Sequence, residues 1–168
     1  MGPVDQFNAL PAEAAEAELL SCCASPAWAG QLAAWRPYPD LPALLVAAGA
    51  ASRGLTWAEV AQALTAHPRI GERPTGPGRE AAWSRREQAG VAGADDVTRQ
   101  ALAEANQRYE DRFGHVFLVC ASGRSDSELL AAARARLDND EAIERTVVRD
   151  ELGKIAQLRL ERLFDGHG

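Results

Sequence analysis

Beta-branched residues are scarce in this chain and alanine is abundant. That balance disfavours sheets and favours helices. Only Val116–Cys120 reads as a strand, and one such run cannot build a sheet, so it is expected to be a buried extended connector. Lys and Arg form no basic stripe, and the formal net charge is −6. Nucleic acid requires phosphate-neutralising patches and is excluded as a partner. A few local arginines can still set the potential inside a cleft. No segment approaches the ~18 consecutive apolar residues of a membrane span. Asp5, Glu13, Glu16 and Glu18 interrupt any signal-like N-terminal run.

Other absences remove whole classes of chemistry. Cys22, Cys23 and Cys120 are an odd set with one adjacent pair, which is no disulfide framework; a reducing cytoplasm is expected. His67, His115 and His167 lie far apart, without ligand pairs at helical spacing or paired cysteines, so no metal centre is expected. Gly76-Pro77-Gly78 lacks the Lys-Ser/Thr and preceding strand of a phosphate loop. Ser84 has no nucleophile elbow. Cys120 sits in an apolar run, where a thiol packs rather than reacts.

What remains is a chain of 168 residues, 46% of them apolar, enough for one domain over 1–168 with a proper core. Helices are expected over 11–23, from Pro26 through Trp28, Leu32 and Trp35, and over 41–52 behind Asp40. Another begins at the capping box Thr56–Glu59 and must stop near His67, because Pro68 follows. Residues 71–79 carry three glycines and two prolines and read as a loop. Helices follow over 80–90, over 96–113 with Gly114 as C-cap, from the capping box Ser125–Glu128 to Leu137, and over 141–164. The expectation is an all-α, single-domain bundle of about eight helices with a long C-terminal helix.

Potential acid–base chemistry concentrates around His67-Pro68-Arg69-Ile70-Gly71 and Ser84–Gly90. Ser84, Glu87 and Gln88, at i, i+3 and i+4, share one helical face. A hydroxyl, a carboxylate and an amide there suit a polar heterocycle; a solvated surface face is the plainer alternative. His67 is either a C-terminal helix cap or a general acid–base. Leu102, Asn106, Tyr109 and Phe113 share a face, which turns Asn106 inward. Leu152, Ile155, Arg159 and Leu163 form a stripe with Arg159 near its centre and Arg162 at its edge. A charge on such a stripe needs an anionic partner, whether a structural carboxylate or a ligand.

Together these residues resemble the OHCU decarboxylase family, which acts on 2-oxo-4-hydroxy-4-carboxy-5-ureidoimidazoline in urate breakdown. The resemblance covers nearly the whole chain. It rests on Ser25-Pro26 with Trp28, Arg36-Pro37, His67 to Gly71, Ser84 to Gly90, Asn106, Tyr109 and Arg112-Phe113-Gly114. Phe117 with Leu118-Val119-Cys120, Gly123 and Arg159 extend it. It implies an all-α homodimer that needs no cofactor and converts the ureidoimidazoline into (S)-allantoin and CO2. His67 and Glu87 would be catalytic. Pro68, Ser84, Gln88, Arg159 and the segment Phe117, Leu118, Val119, Cys120 and Ala121 would bind substrate. Two alternatives stay open from the residues: another ureide-pathway hydrolase or isomerase, and a non-catalytic helical interaction domain.

Overall fold

A computed structural model describes residues 2–67 and 96–165. Among the described residues there are eight helices and no strand. These are α1 (Pro3–Ala9), α2 (Ala12–Leu20), α3 (Pro26–Ala34), α4 (Leu41–Arg53), α5 (Trp57–Leu64), α6 (Asp96–Phe113), α7 (Asp126–Arg136) and α8 (Glu141–Phe164). The chain is all-α, and no described helix is long and apolar enough to cross a membrane.

The helix boundaries follow local chemistry. Ser25 and Asp40 accept backbone N–H groups at the starts of α3 and α4, with a proline in each first turn. Thr56 and Glu59 form the expected reciprocal capping box. Gly114 closes α6 at a left-handed φ of 81°, with its N–H on the Glu110 carbonyl 2.8 Å away; only glycine holds that geometry without strain.

Two expectations needed correction. Helix α2 ends at Leu20 rather than at residue 23, because the chain turns through Ser21–Ser25. Helix α1 was not expected at all. It starts with a proline, and Asp5 accepts the Gly2 N–H at 3.1 Å. Its C-terminal carbonyls are held from elsewhere: Arg36 Nη1 donates to Phe7 O at 2.9 Å and to Leu10 O at 2.7 Å. The same guanidinium donates through Nε to Ala33 O at the end of α3. A seven-residue helix is unstable alone, so this distant arginine, invisible to periodicity, explains why α1 forms. The expected helix over 80–90 and loop over 71–79 lie outside the described residues.

The chain divides into two compact units, residues 1–63 with 149–168, and residues 64–148. In the first, Trp28 is fully buried and donates its indole N–H to Ala48 O at 3.2 Å, tying α3 to α4. Helix α8 packs on α4 at small residues. Ser52 Oγ donates to Gly49 O at 2.9 Å, and Gln157 Nε2 donates to Leu45 O at 3.1 Å. A Cβ at Gly153 would stand 2.8 Å from Ser52 Oγ.

A double-mutant prediction follows from that approach. Gly153→Ala gains about 1 kcal/mol of helix propensity but incurs an overpacking cost of about 1–3 kcal/mol, a net loss near 1 kcal/mol. With Ser52→Ala added, the nearest remaining neighbour is the residue-52 Cβ at 3.5 Å, an ordinary contact. Urea denaturation should therefore show the double variant more stable than Gly153→Ala; equal stabilities would mean that the crossing tolerates the methyl.

The second unit has its own core. Leu102, Ala105 and Tyr109 from α6 and Leu129 and Ala133 from α7 enclose Phe117, Val119 and Ala121. The connector between α6 and α7 is thus packed through Phe117, Val119 and Ala121 against both helices.

Candidate active site

His67 follows α5 by one turn. Its backbone N–H donates to Leu64 O at 3.0 Å, and the residue is half-buried. The capping box at the start of α5 and the turn at its end fix where the imidazole emerges. Pro68, Ser84, Glu87 and Gln88 lie outside the described residues.

In the unit that contains His67, residues 117–121 form an irregular segment between α6 and α7. Phe117, Leu118, Val119 and Ala121 are buried, and Cys120 is half-buried. Their apolar side chains serve the core, and the Ala121 carbonyl accepts the Arg124 N–H at 3.1 Å. The segment's position is set by a charged network that the sequence reading missed. Glu144 is fully buried on α8, and Arg136 is buried at the end of α7. Arg136 Nε donates to Glu144 Oε2 at 2.9 Å, Nη2 reaches the same carboxylate, and Nη1 donates to Leu118 O at 2.6 Å. Tyr109 donates its hydroxyl to Glu144 as well, and Asn139 Nδ2 donates to Oε1 at 3.1 Å. The guanidinium lies 4.6 Å from the Phe117 ring centroid, within cation–π range. Burial and the Glu144 carboxylate push the Tyr109 phenol well above its ordinary value, so it stays a donor.

Asn106 is buried on α6, as its helical face requires. Arg159 belongs to the other unit and is also buried, as its place on the α8 stripe requires. It lies close enough to Cys23 to favour the thiolate, but burial outweighs it and pushes that thiol up to about 12. Tyr38, whose hydroxyl donates to Leu32 O at 2.7 Å, is likewise pushed up to about 12 by burial.

These shifts set an alkaline limit. A group that holds its proton more tightly when folded stabilises the fold below its unfolded value and loses that contribution as pH rises through its folded value. For Cys23 the window runs from 9.0 to about 12 and for Tyr38 from 10.0 to about 12. The urea midpoint is therefore expected to fall from about pH 9 upward, and Cys23→Ala to flatten the first part of the fall. An identical slope in that variant would exclude Cys23 as a cause.

The family model for OHCU decarboxylase matches residues 8–161. The chain belongs to the OHCU decarboxylase family. It is 32% identical over 156 residues to the uric acid degradation bifunctional protein TTL of Arabidopsis thaliana, covering 90% of this chain and 48% of that protein. It is 35% identical over 100 residues to the 2-oxo-4-hydroxy-4-carboxy-5-ureidoimidazoline decarboxylase of Amia calva, 58% of this chain and 57% of that one. The chain thus spans about half the length of these two curated relatives. A crystal structure of OHCU decarboxylase in the presence of (S)-allantoin superimposes with a TM-score of 0.75 at 28% identity, over 88% of this chain and 97% of that one.

Proposed function

We propose that this chain is a cofactor-independent carboxy-lyase that converts 2-oxo-4-hydroxy-4-carboxy-5-ureidoimidazoline into (S)-allantoin and CO2 in urate degradation. The likeness to an OHCU decarboxylase crystallised in the presence of (S)-allantoin, over nearly that whole chain, carries this reading. In the proposed site His67 takes the proton of the substrate hydroxyl as the adjacent carbon–carboxylate bond breaks. The electron pair passes into the ring, where conjugation with the imine holds it in an enol-like intermediate. Two protons complete the product: the one taken from the hydroxyl returns to a single face of the ring carbon bearing the ureido group as the former hydroxyl becomes a carbonyl, and one from solvent goes to the former imine nitrogen. The substrate supplies its own electron sink, which is the role a cofactor fills in other decarboxylases. Glu87 assists proton delivery or holds the neighbouring nitrogen. Pro68, Ser84, Gln88 and Arg159 bind the ring and ureido group, and the main chain of 117–121 completes the pocket.

The enzyme is proposed to act as a homodimer in the cytoplasm. Cys22, Cys23 and Cys120 are thiols rather than disulfides, which supports a reducing compartment. The activity is tested by generating fresh substrate through urate oxidation and hydroxyisourate hydrolysis, then following CO2 release and optical rotation together. Faster CO2 release with accumulation of one allantoin enantiomer is expected. Racemic product at the spontaneous rate would overturn the assignment.

A further inference from the structure

The Arg136 guanidinium joins two kinds of partner that have no sequence relation. Through Nε and Nη2 it is bound to Glu144, and through Nη1 it holds a main-chain oxygen of the 117–121 segment, Leu118 O, at 2.6 Å. It also lies against the ring of Phe117, the residue before. Two adjacent residues of the segment are therefore gripped by one rigid cation. A trans peptide is planar, so fixing the Leu118 carbonyl toward Arg136 also aims the Val119 N–H to the opposite side. The grip is fixed in turn, because Glu144 is held by Tyr109 and Asn139 as well. Burying a cation and a carboxylate is no economical route to stability, since well-packed apolar residues do as well or better. An arrangement of this cost points to a demand for a defined backbone position.

We propose that Arg136 is a positioning residue for the decarboxylation, setting the main chain of 117–121 that faces the substrate while remaining outside the reaction itself. This rests on the functional reading above. Lysine at 136 keeps a positive charge for Glu144, but a single ammonium lacks the planar fork that spans both the carboxylate and Leu118 O. Ser125→Ala serves as the control. Ser125 Oγ accepts the Glu128 N–H at the start of α7, so its loss weakens the helix carrying Arg136 without touching the segment.

The experiment compares wild type, Arg136→Lys and Ser125→Ala by thermal melting, (S)-allantoin affinity, steady-state kinetics and amide exchange. In Arg136→Lys, exchange at 117–121 should quicken about 10-fold relative to the control. Allantoin affinity should fall about 10-fold, with the loss in kcat/KM carried mainly by KM. Ser125→Ala should lose melting temperature with affinity unchanged. If Arg136→Lys does not fold, Arg136→Gln/Glu144→Gln removes both charges at once and answers the same question. Affinity and exchange at 117–121 that differ no more from wild type than in Ser125→Ala would overturn the proposal. A wild-type protein that neither releases CO2 nor binds allantoin would instead overturn the functional reading, a result the first comparison keeps separate.

Discussion

Replacing His67 by asparagine is expected to lower kcat by about 10²–10⁴-fold, the usual contribution of a positioned acid–base group. Asparagine retains a polar side chain and leaves the backbone bond from residue 67 to Leu64 O in place. It cannot exchange a proton near neutral pH. The competing role for this histidine, a cap at the C-terminal end of α5, involves a different magnitude and a different observable. A cation at a helix C-terminus contributes about 0.3–1 kcal/mol to stability and nothing to turnover. Rates with freshly generated substrate and urea denaturation therefore separate the two. A variant with near-wild-type turnover and slightly reduced stability would make His67 a cap; a collapsed rate on an intact fold is the expected outcome.

Elements were legible in the sequence where local chemistry decides them. The capping box at Thr56, the Ser125 side-chain cap on the Glu128 N–H, Asp40 before a proline-started helix and Gly114 at a positive φ all act within four residues. Helical periodicity likewise turned Asn106 and Arg159 inward, where both are buried. What escaped was stabilised from a distance. Helix α1 relies on Arg36, whose guanidinium reaches back to Phe7 and Leu10 across more than twenty-five residues. The Arg136–Glu144 network escaped for a similar reason, although a signal existed. Glu144 lies four residues before Val148 and eight before Leu152, on the very stripe that singled out Arg159. Arg136 follows Leu129 and Ala133 at helical spacing. A charge at the end of each apolar stripe, on consecutive helices and of opposite sign, is the pattern that predicts such a pair. Proton-transfer chemistry, by contrast, was suggested by residue type, and its assignment to His67 and Glu87 rests on the family resemblance.

Truncating Glu144 to alanine should be the most destabilising single change in this network, at about 3–5 kcal/mol. The cost is not the worth of one ion pair. It is the penalty of leaving the Arg136 guanidinium buried between Tyr109 and Phe117 with its counter-charge gone. Tyr109 and Asn139 lose their acceptor in the same step. Small domains are stable by only about 5–15 kcal/mol, so the variant should melt far below wild type. Glu144→Gln keeps the shape and one carbonyl acceptor and should lose less. Tyr109→Phe removes only a donor from a carboxylate that keeps its arginine, a loss of about 1–3 kcal/mol. Replacing Arg136 by Met and Glu144 by Leu together removes both buried charges and should recover most of the loss. The order Glu144→Ala, then Glu144→Gln, then Tyr109→Phe, with recovery in the apolar double variant, is checked by urea midpoints at one pH. Should Glu144→Ala lose less than Tyr109→Phe, the carboxylate would not be the centre of the network. Recovered stability without recovered allantoin affinity in the Met–Leu double variant is the combination that assigns this buried charge to backbone placement rather than to folding.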